Sequence, residues 1–187
     1  AYSKGGEFEA SGRRLLADHN GLEAIILPVL DAWRGVRIRA TDLGRQLLAG
    51  ARRSRSCQLL MTIPGVGAVT ATAFTTAIED PANFKTSRSV GAWLGLTTRR
   101  YQSGEVDYGG HISRRGDSHM RALLYEAATV ILTRTQADSS LRAWGLKLRE
   151  KIGFKRAAVA VARKLAVIMH AMLKSDAAFD RTAGAMG

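Results

Sequence analysis

The stretch Leu59-Leu60-Met61-Thr62-Ile63-Pro64-Gly65-Val66-Gly67, followed by an Ala- and Thr-rich run from Ala68 to Ile78, decides how this chain is built. An apolar run that stops at Pro-Gly-Val-Gly and resumes at Ala68 predicts two helices joined by a Gly–hydrophobic–Gly turn. That pattern matches the hairpin of helix-hairpin-helix modules. The second helix opens at Gly65 and Gly67, so its free N–H groups and positive dipole end can receive one phosphate without reading bases. The same residues also suit a plain helix–helix turn that binds nothing.

Upstream, Arg13 to Leu60 has helical periodicity. Leu15, Leu16, Leu22, Ile25, Ile26, Val29, Leu30 and Trp33 recur at three- and four-residue steps, followed by Val36, Ile38, Leu43, Leu47 and Leu48. Pro28 is expected to kink or interrupt this run, and Gly35, Gly44 and Gly50 weaken it. Residues 13–58 therefore read as two helices, a hairpin or coiled-coil-like arm that joins copies of the chain into a homo-oligomer. The opening AYSKGGEFEASG, residues 1–12, reads as a flexible lead and suggests a piece of something longer. Residues 181–187 read as a flexible tail.

Downstream, Asp80-Pro81 ends the helix that began at Ala68, and Thr86 or Ser87 caps another that runs to Trp93-Leu94. Gly95 to Gly116 has little periodic character and reads as a loop, with local extension over Arg99–Ser103. Asp117 or Ser118 then caps Met120–Thr135, whose inner face is Leu123, Leu124, Ala127, Ala128, Ile131 and Leu132. Leu141–Lys151 and Lys155–Leu173 are two more helices, parted at Gly153. The fold class is all-α: an arm, then a compact helical domain over 59–180.

The run Gly91–Arg121 carries the chemistry. Ser103 sits between two arginine pairs, Arg99–Arg100 and Arg114–Arg115, among Gly104, Gly109, Gly110 and Gly116. A hydroxyl beside glycine, ringed by guanidinium groups, is what attack on or capture of a phosphate diester requires. A Ser-Gly pair in a loop is also an ordinary turn. Glu105 and Asp107 would repel a phosphate unless they turn away. Neither a Ser-His-Asp order nor a Gly-x-Ser-x-Gly elbow is present, which argues against a hydrolase.

Charge points the same way. Lys and Arg number 28 against 16 acids, a net charge of +12 on 187 residues, so polyanions are attracted at long range and affinity for them should fall with salt. Arg142, Lys147, Arg149, Lys151, Lys155, Arg156, Arg163 and Lys164 concentrate on the last two helices against the single acid Glu150. Aromatic residues make up only 6%, too few for a single-strand stacking platform. Phosphate contacts are expected from Gly65, Gly67, Arg99, Arg100, Ser113, Arg114, Arg115, Arg121, Lys155, Arg156, Arg163 and Lys164. The lone Cys57 excludes an internal disulfide framework and fits a reducing cytoplasm. Without an apolar run near ~18 residues, no membrane span is expected. His19, His111, His119 and His170 are scattered and lack zinc-site spacing, so no metal site is predicted.

Five strings together carry a family resemblance: Met61-Thr-Ile-Pro-Gly-Val-Gly, Gly91-Ala-Trp-Leu-Gly-Leu, Arg99-Arg-Tyr-Gln-Ser-Gly-Glu, Ile112-Ser-Arg-Arg-Gly-Asp, and Val159-Ala-Val-Ala-Arg-Lys-Leu-Ala-Val-Ile-Met-His. From about Arg13 to Phe179 the chain resembles the C-terminal half of DEDD-type insertion-sequence transposases. This is the Piv-invertase-like family of insertion sequences 110/116/902, which also includes RNA-bridged recombinases. The resemblance implies DNA transposition or site-specific recombination, with DNA as partner and a guide RNA as a further one in some members. It implies Ser103 as a nucleophile that attacks a DNA phosphate and forms a transient 5′-phosphoserine link, with Arg99, Arg100 and Arg114 stabilising charge at phosphorus. Ser113 is a competing nucleophile, though its place before Gly116 and a helix start favours a capping or phosphate-contact role. Mg²⁺ is implied on the acidic tetrad of a RuvC-like domain, but no strand-borne acid set precedes Arg13, so no cofactor is expected in this chain. Thr98 stands where the family usually has Pro, and Arg114 where it usually has Lys. A basic helical DNA- or RNA-binding module without catalysis is the alternative reading.

Overall fold

In a computed structural model, residues 5–17, 21–103 and 106–182 are described, with the side chains of 5, 17, 99–103 and 106–110 left aside. The chain divides into two compact units, residues 1–49 and 50–187, and the division falls inside a helix.

In the first unit, α1 (Gly5–Ala17) lies against the leading part of α2 (Glu23–Arg53): Leu16 and Leu30 are buried, and Leu30 packs on Gly12. The Phe8 and Trp33 rings meet at 5.0 Å, and Arg13 Nη2 lies 2.6 Å from Asp31 Oδ1. Residues 5–12, expected to be a flexible lead, are thus helical. The break is also displaced: the Leu22 carbonyl accepts from the N–H groups of Ile25 and Ile26, α2 begins at Glu23, and Pro28 lies inside it. A proline in the second turn removes one hydrogen bond close to an end where donors are already unpaired, so the helix passes through it. A second apolar row of α2, Val29, Val36 and Leu43 at seven-residue steps, is exposed, with Leu22 one step before it.

The second unit is assembled around α8 (Phe154–Ser175). Its inner face buries Ala157, Ala158, Val161, Ala162, Leu165, Ala166, Met169, His170 and Met172. Against it pack α3 (Arg55–Leu60), α5 (Ser87–Trp93), α6 (Ser118–Thr133) and α7 (Ser140–Ile152), while α4 (Ala68–Ile78) bridges α3 and α6. The predicted inner face of α6 is buried residue for residue, with Met120 added. Small residues let the layers approach. A Cβ on Gly145 of α7 would lie 2.6 Å from Val161 Cγ2 and 2.8 Å from Leu132 Cδ2.

The architecture is predominantly helical, as the periodicity predicts. Its exception lies in the region read as a loop: Thr98–Ser103 (β1) and Val106–Ile112 (β2) form a two-stranded antiparallel hairpin. Thr98 pairs with Ile112 but Arg100 with Gly109, so β2 carries one extra residue near the stem.

Candidate nucleic-acid interface

The hairpin stem is made of main chain. Leu94 and Leu96 are buried on the side that enters β1, and between them Gly95 adopts φ +70. A Cβ there would meet the Arg115 carbonyl oxygen at 1.9 Å. On the side that leaves β2, Gly116 adopts φ +89, and its Cβ would meet the Trp93 carbonyl at 2.2 Å. Only glycine supplies both the conformation and the space. The Ser113 N–H donates to the Thr97 carbonyl at 2.8 Å and the Arg114 N–H to that of Gly95 at 3.1 Å. Arg114 itself is left-handed at φ 55, which a non-glycine residue keeps only where its surroundings enforce it.

Ser103 is the last residue of β1, paired in register with Val106 and five residues beyond the stem residue Thr98. The side chains of Ser103, Arg99 and Arg100 lie outside the described residues. Arg114 and Arg115 are exposed at the foot of the hairpin. Ser113 is half-buried beside them, and the cap of α6 is Asp117, whose Oδ1 accepts from the His119 and Met120 N–H groups at 2.8 and 3.3 Å. Arg121 is half-buried, with Nη1 donating to three carbonyls: Leu94 at 3.2 Å, Arg115 at 3.1 Å and Gly116 at 2.9 Å.

The glycines of the opening motif separate in role. Gly65, at φ +92, backs onto α6, where a Cβ would touch Ile131 Cγ1 at 3.0 Å and the Ala127 carbonyl at 3.1 Å. Gly67 caps α4, is exposed, has open space around its Cα and leaves the start of the helix without a side-chain cap. The turn joins two helices as predicted, with α3 only six residues long and capped by Ser54.

Of the basic helices, Lys147, Arg149, Lys151, Lys155, Arg156 and Arg163 are exposed. Arg156 and Arg163, two turns apart, share a face of α8. Arg163 also lies across Gly91, its Cγ 3.1 Å from where a Cβ would stand, which brings one cation of α8 against the helix that feeds the hairpin stem. Lys164 covers the Trp144 ring at 4.7 Å, and Arg142 pairs with Asp138 at 3.5 Å. Among the described residues no three His, Cys, Asp or Glu side chains converge, so they offer no cage for a divalent ion. None of the described helices is long and apolar enough to cross a membrane.

One titratable group that the sequence did not single out is fully buried. His170 Nε2 lies 3.1 Å from the Pro81 carbonyl and Nδ1 2.9 Å from Ser87 Oγ, with Phe84 edge-on to the ring at 5.3 Å. A carbonyl only accepts, so Nε2 carries the proton and the Ser87 hydroxyl donates to Nδ1. Desolvation holds the imidazole below its usual range, with Lys174 acting in the same direction and the Pro81 bond opposing it. Ser87, a predicted cap, is occupied here instead, and the cap position of α5 is Thr86.

A basic, mainly helical domain that presents one short hairpin on a braced main-chain stem is the class of molecule these features define. Residues 57–143 match the model of the transposase IS116/IS110/IS902 family. The chain is 31% identical over 150 residues to a probable family 20 transposase of Pseudomonas aeruginosa, covering 80% of this chain and 44% of that protein. It is 35% identical over 133 residues to the transposase for insertion sequence element IS1111A of Coxiella burnetii, covering 71% and 36%. A pilin gene-inverting protein of Moraxella bovis is 29% identical over 127 residues, covering 66% and 38%. The chain spans less than half the length of these curated relatives.

Proposed function

We propose that this chain is the C-terminal portion of an insertion-sequence transposase of the IS116/IS110/IS902 kind and acts on DNA, with Ser103 as its nucleophile. The observation that carries the reading is the family match over 57–143, which runs from α3 through the hairpin into α7. It therefore takes in Tyr101-Gln102-Ser103-Gly104 and both arginine pairs. A hydroxyl at the end of a hairpin braced at its foot suits attack on a large substrate.

In this reading the Ser103 Oγ gives up its proton and bonds to phosphorus while the bond from phosphorus to O3′ breaks. The O3′ leaves with a proton, which yields a 5′-phosphoserine link and a free 3′-hydroxyl. Attack by another 3′-hydroxyl reverses the step and joins strands. Arg99 and Arg100 on β1 counter charge near the reacting phosphate, while Arg114 and Arg115, at the foot and five strand residues from Ser103, meet flanking phosphates instead. The exposed end of α4 at Gly67 and the cations Lys155, Arg156 and Arg163 hold the backbone. Carboxylate-bound Mg²⁺ belongs, in the resemblance, to a RuvC-like domain.

The test is Ser103→Ala in the full-length protein that contains this chain. Strand cleavage should disappear while DNA affinity stays within about twofold, because a hydroxyl needed only for bond-making contributes little to binding. Cleavage that persists would reduce the chain to a binding module.

A further inference from the structure

We infer that Arg121 is a positioning residue: through three main-chain carbonyls it locks the two sides of the hairpin stem together and so fixes where Ser103 is held. The inference rests on the reading of Ser103 as nucleophile, and its own readout is independent of cleavage.

Leu94 precedes β1, whereas Arg115 and Gly116 follow β2, so one nitrogen of Arg121 spans both chains of the stem. The carbonyls come together because Gly95 and Gly116 allow main chain to approach main chain. Three converging carbonyl dipoles present partial negative charge to one another, and a cationic donor relieves that. Arg121 can do so rigidly because it is one turn into α6 and its neighbours Met120 and Leu124 are buried. The left-handed Arg114 lies between the parts so fastened.

Sequence alone would count Arg121 among the phosphate contacts, and the two roles differ measurably. A phosphate contact tolerates Lys as a point charge, and its loss lowers the salt dependence of DNA binding by about one charge. Lys cannot take over a clamp on fixed carbonyls set for the reach of Nη1, because its ammonium sits on a stem one bond shorter.

Hydrogen exchange of the 187-residue chain tests the assignment, with Arg121→Gln and Arg121→Lys as variants. Both should speed exchange of the amides of Thr98–Ser103 and Val106–Ile112 by roughly tenfold or more while α6 and α8 stay protected. The salt slope of DNA binding should not move. In the full-length protein, cleavage should slow in both variants at unchanged DNA affinity.

Three results overturn the inference. Unchanged hairpin exchange in Arg121→Gln means that the stem does not depend on the clamp. Equal loss of protection in α6 and α8 means that Arg121 serves the whole fold. Full rescue by Lys together with a reduced salt slope in Arg121→Gln means a phosphate contact. Failure of the Ser103 reading would instead show as cleavage by Ser103→Ala and would leave the exchange results intact.

Discussion

At residue 95 a single methyl group has nowhere to go. Gly95→Ala would set a Cβ 1.9 Å from the Arg115 carbonyl and demand a left-handed backbone of an alanine. The expected cost is about 2–4 kcal/mol, read as a lowered denaturant midpoint, and Gly116→Ala should match it. Gly116 stands in the sequence among the glycines that flank Ser103, yet there, as at Gly95, the closely approaching body is the protein's own chain. A one-dimensional pattern cannot tell these uses apart. His170 makes the same point for side chains. Its phase with Ala166 and Met169 marks it as inward-facing, but Ser87 and Pro81 are more than eighty residues away. Its lowered pKa gives a sign: the unfolded chain binds the extra proton first, so stability is complete above about pH 6.5 and falls as pH drops toward the folded value. Denaturation midpoints should decline through that window, and His170→Leu should flatten the decline.

Among the elements, long helices were legible, and of the hairpin only the extended Arg99–Ser103 was, not its partner strand or their pairing. α6 and α8 bury apolar residues at three- and four-residue steps over several turns, a repeat that survives without tertiary knowledge. β1 and β2 are six and seven residues long, rich in arginine and glycine, and carry a register shift, so neither shows alternation. Their pairing depends on the stem. Packing at α7 gives a second prediction. Gly145→Ala gains about 1 kcal/mol of helix preference but must displace Val161 and Leu132. Overpacking of about 1–3 kcal/mol outweighs that gain, and thermal unfolding should show net destabilisation. On α2 the exposed row at 29, 36 and 43 suits a second copy of the helix. Sedimentation of Val36→Glu/Leu43→Lys should show a smaller species than the unsubstituted chain, and an unchanged mass would remove α2 from assembly.

For the whole molecule, the excess of twelve positive charges was plain from composition, and the fold places seven exposed cations on α7 and α8. If these hold a DNA backbone, affinity should fall linearly on logarithmic axes as salt rises. Lys155→Gln/Arg156→Gln should flatten that slope by about two charges without altering base preference, as titrations at several salt concentrations would reveal. The division of labour also follows from how the stem is made. Its fastening uses carbonyls, amides, two glycines, Arg121 and the core contact of Ile112, so it asks little of the side chains nearer the tip. Like a chuck that accepts any bit of the right shank, this mount permits the working tip to be exchanged, by drift or by design, while the helical body goes on unchanged.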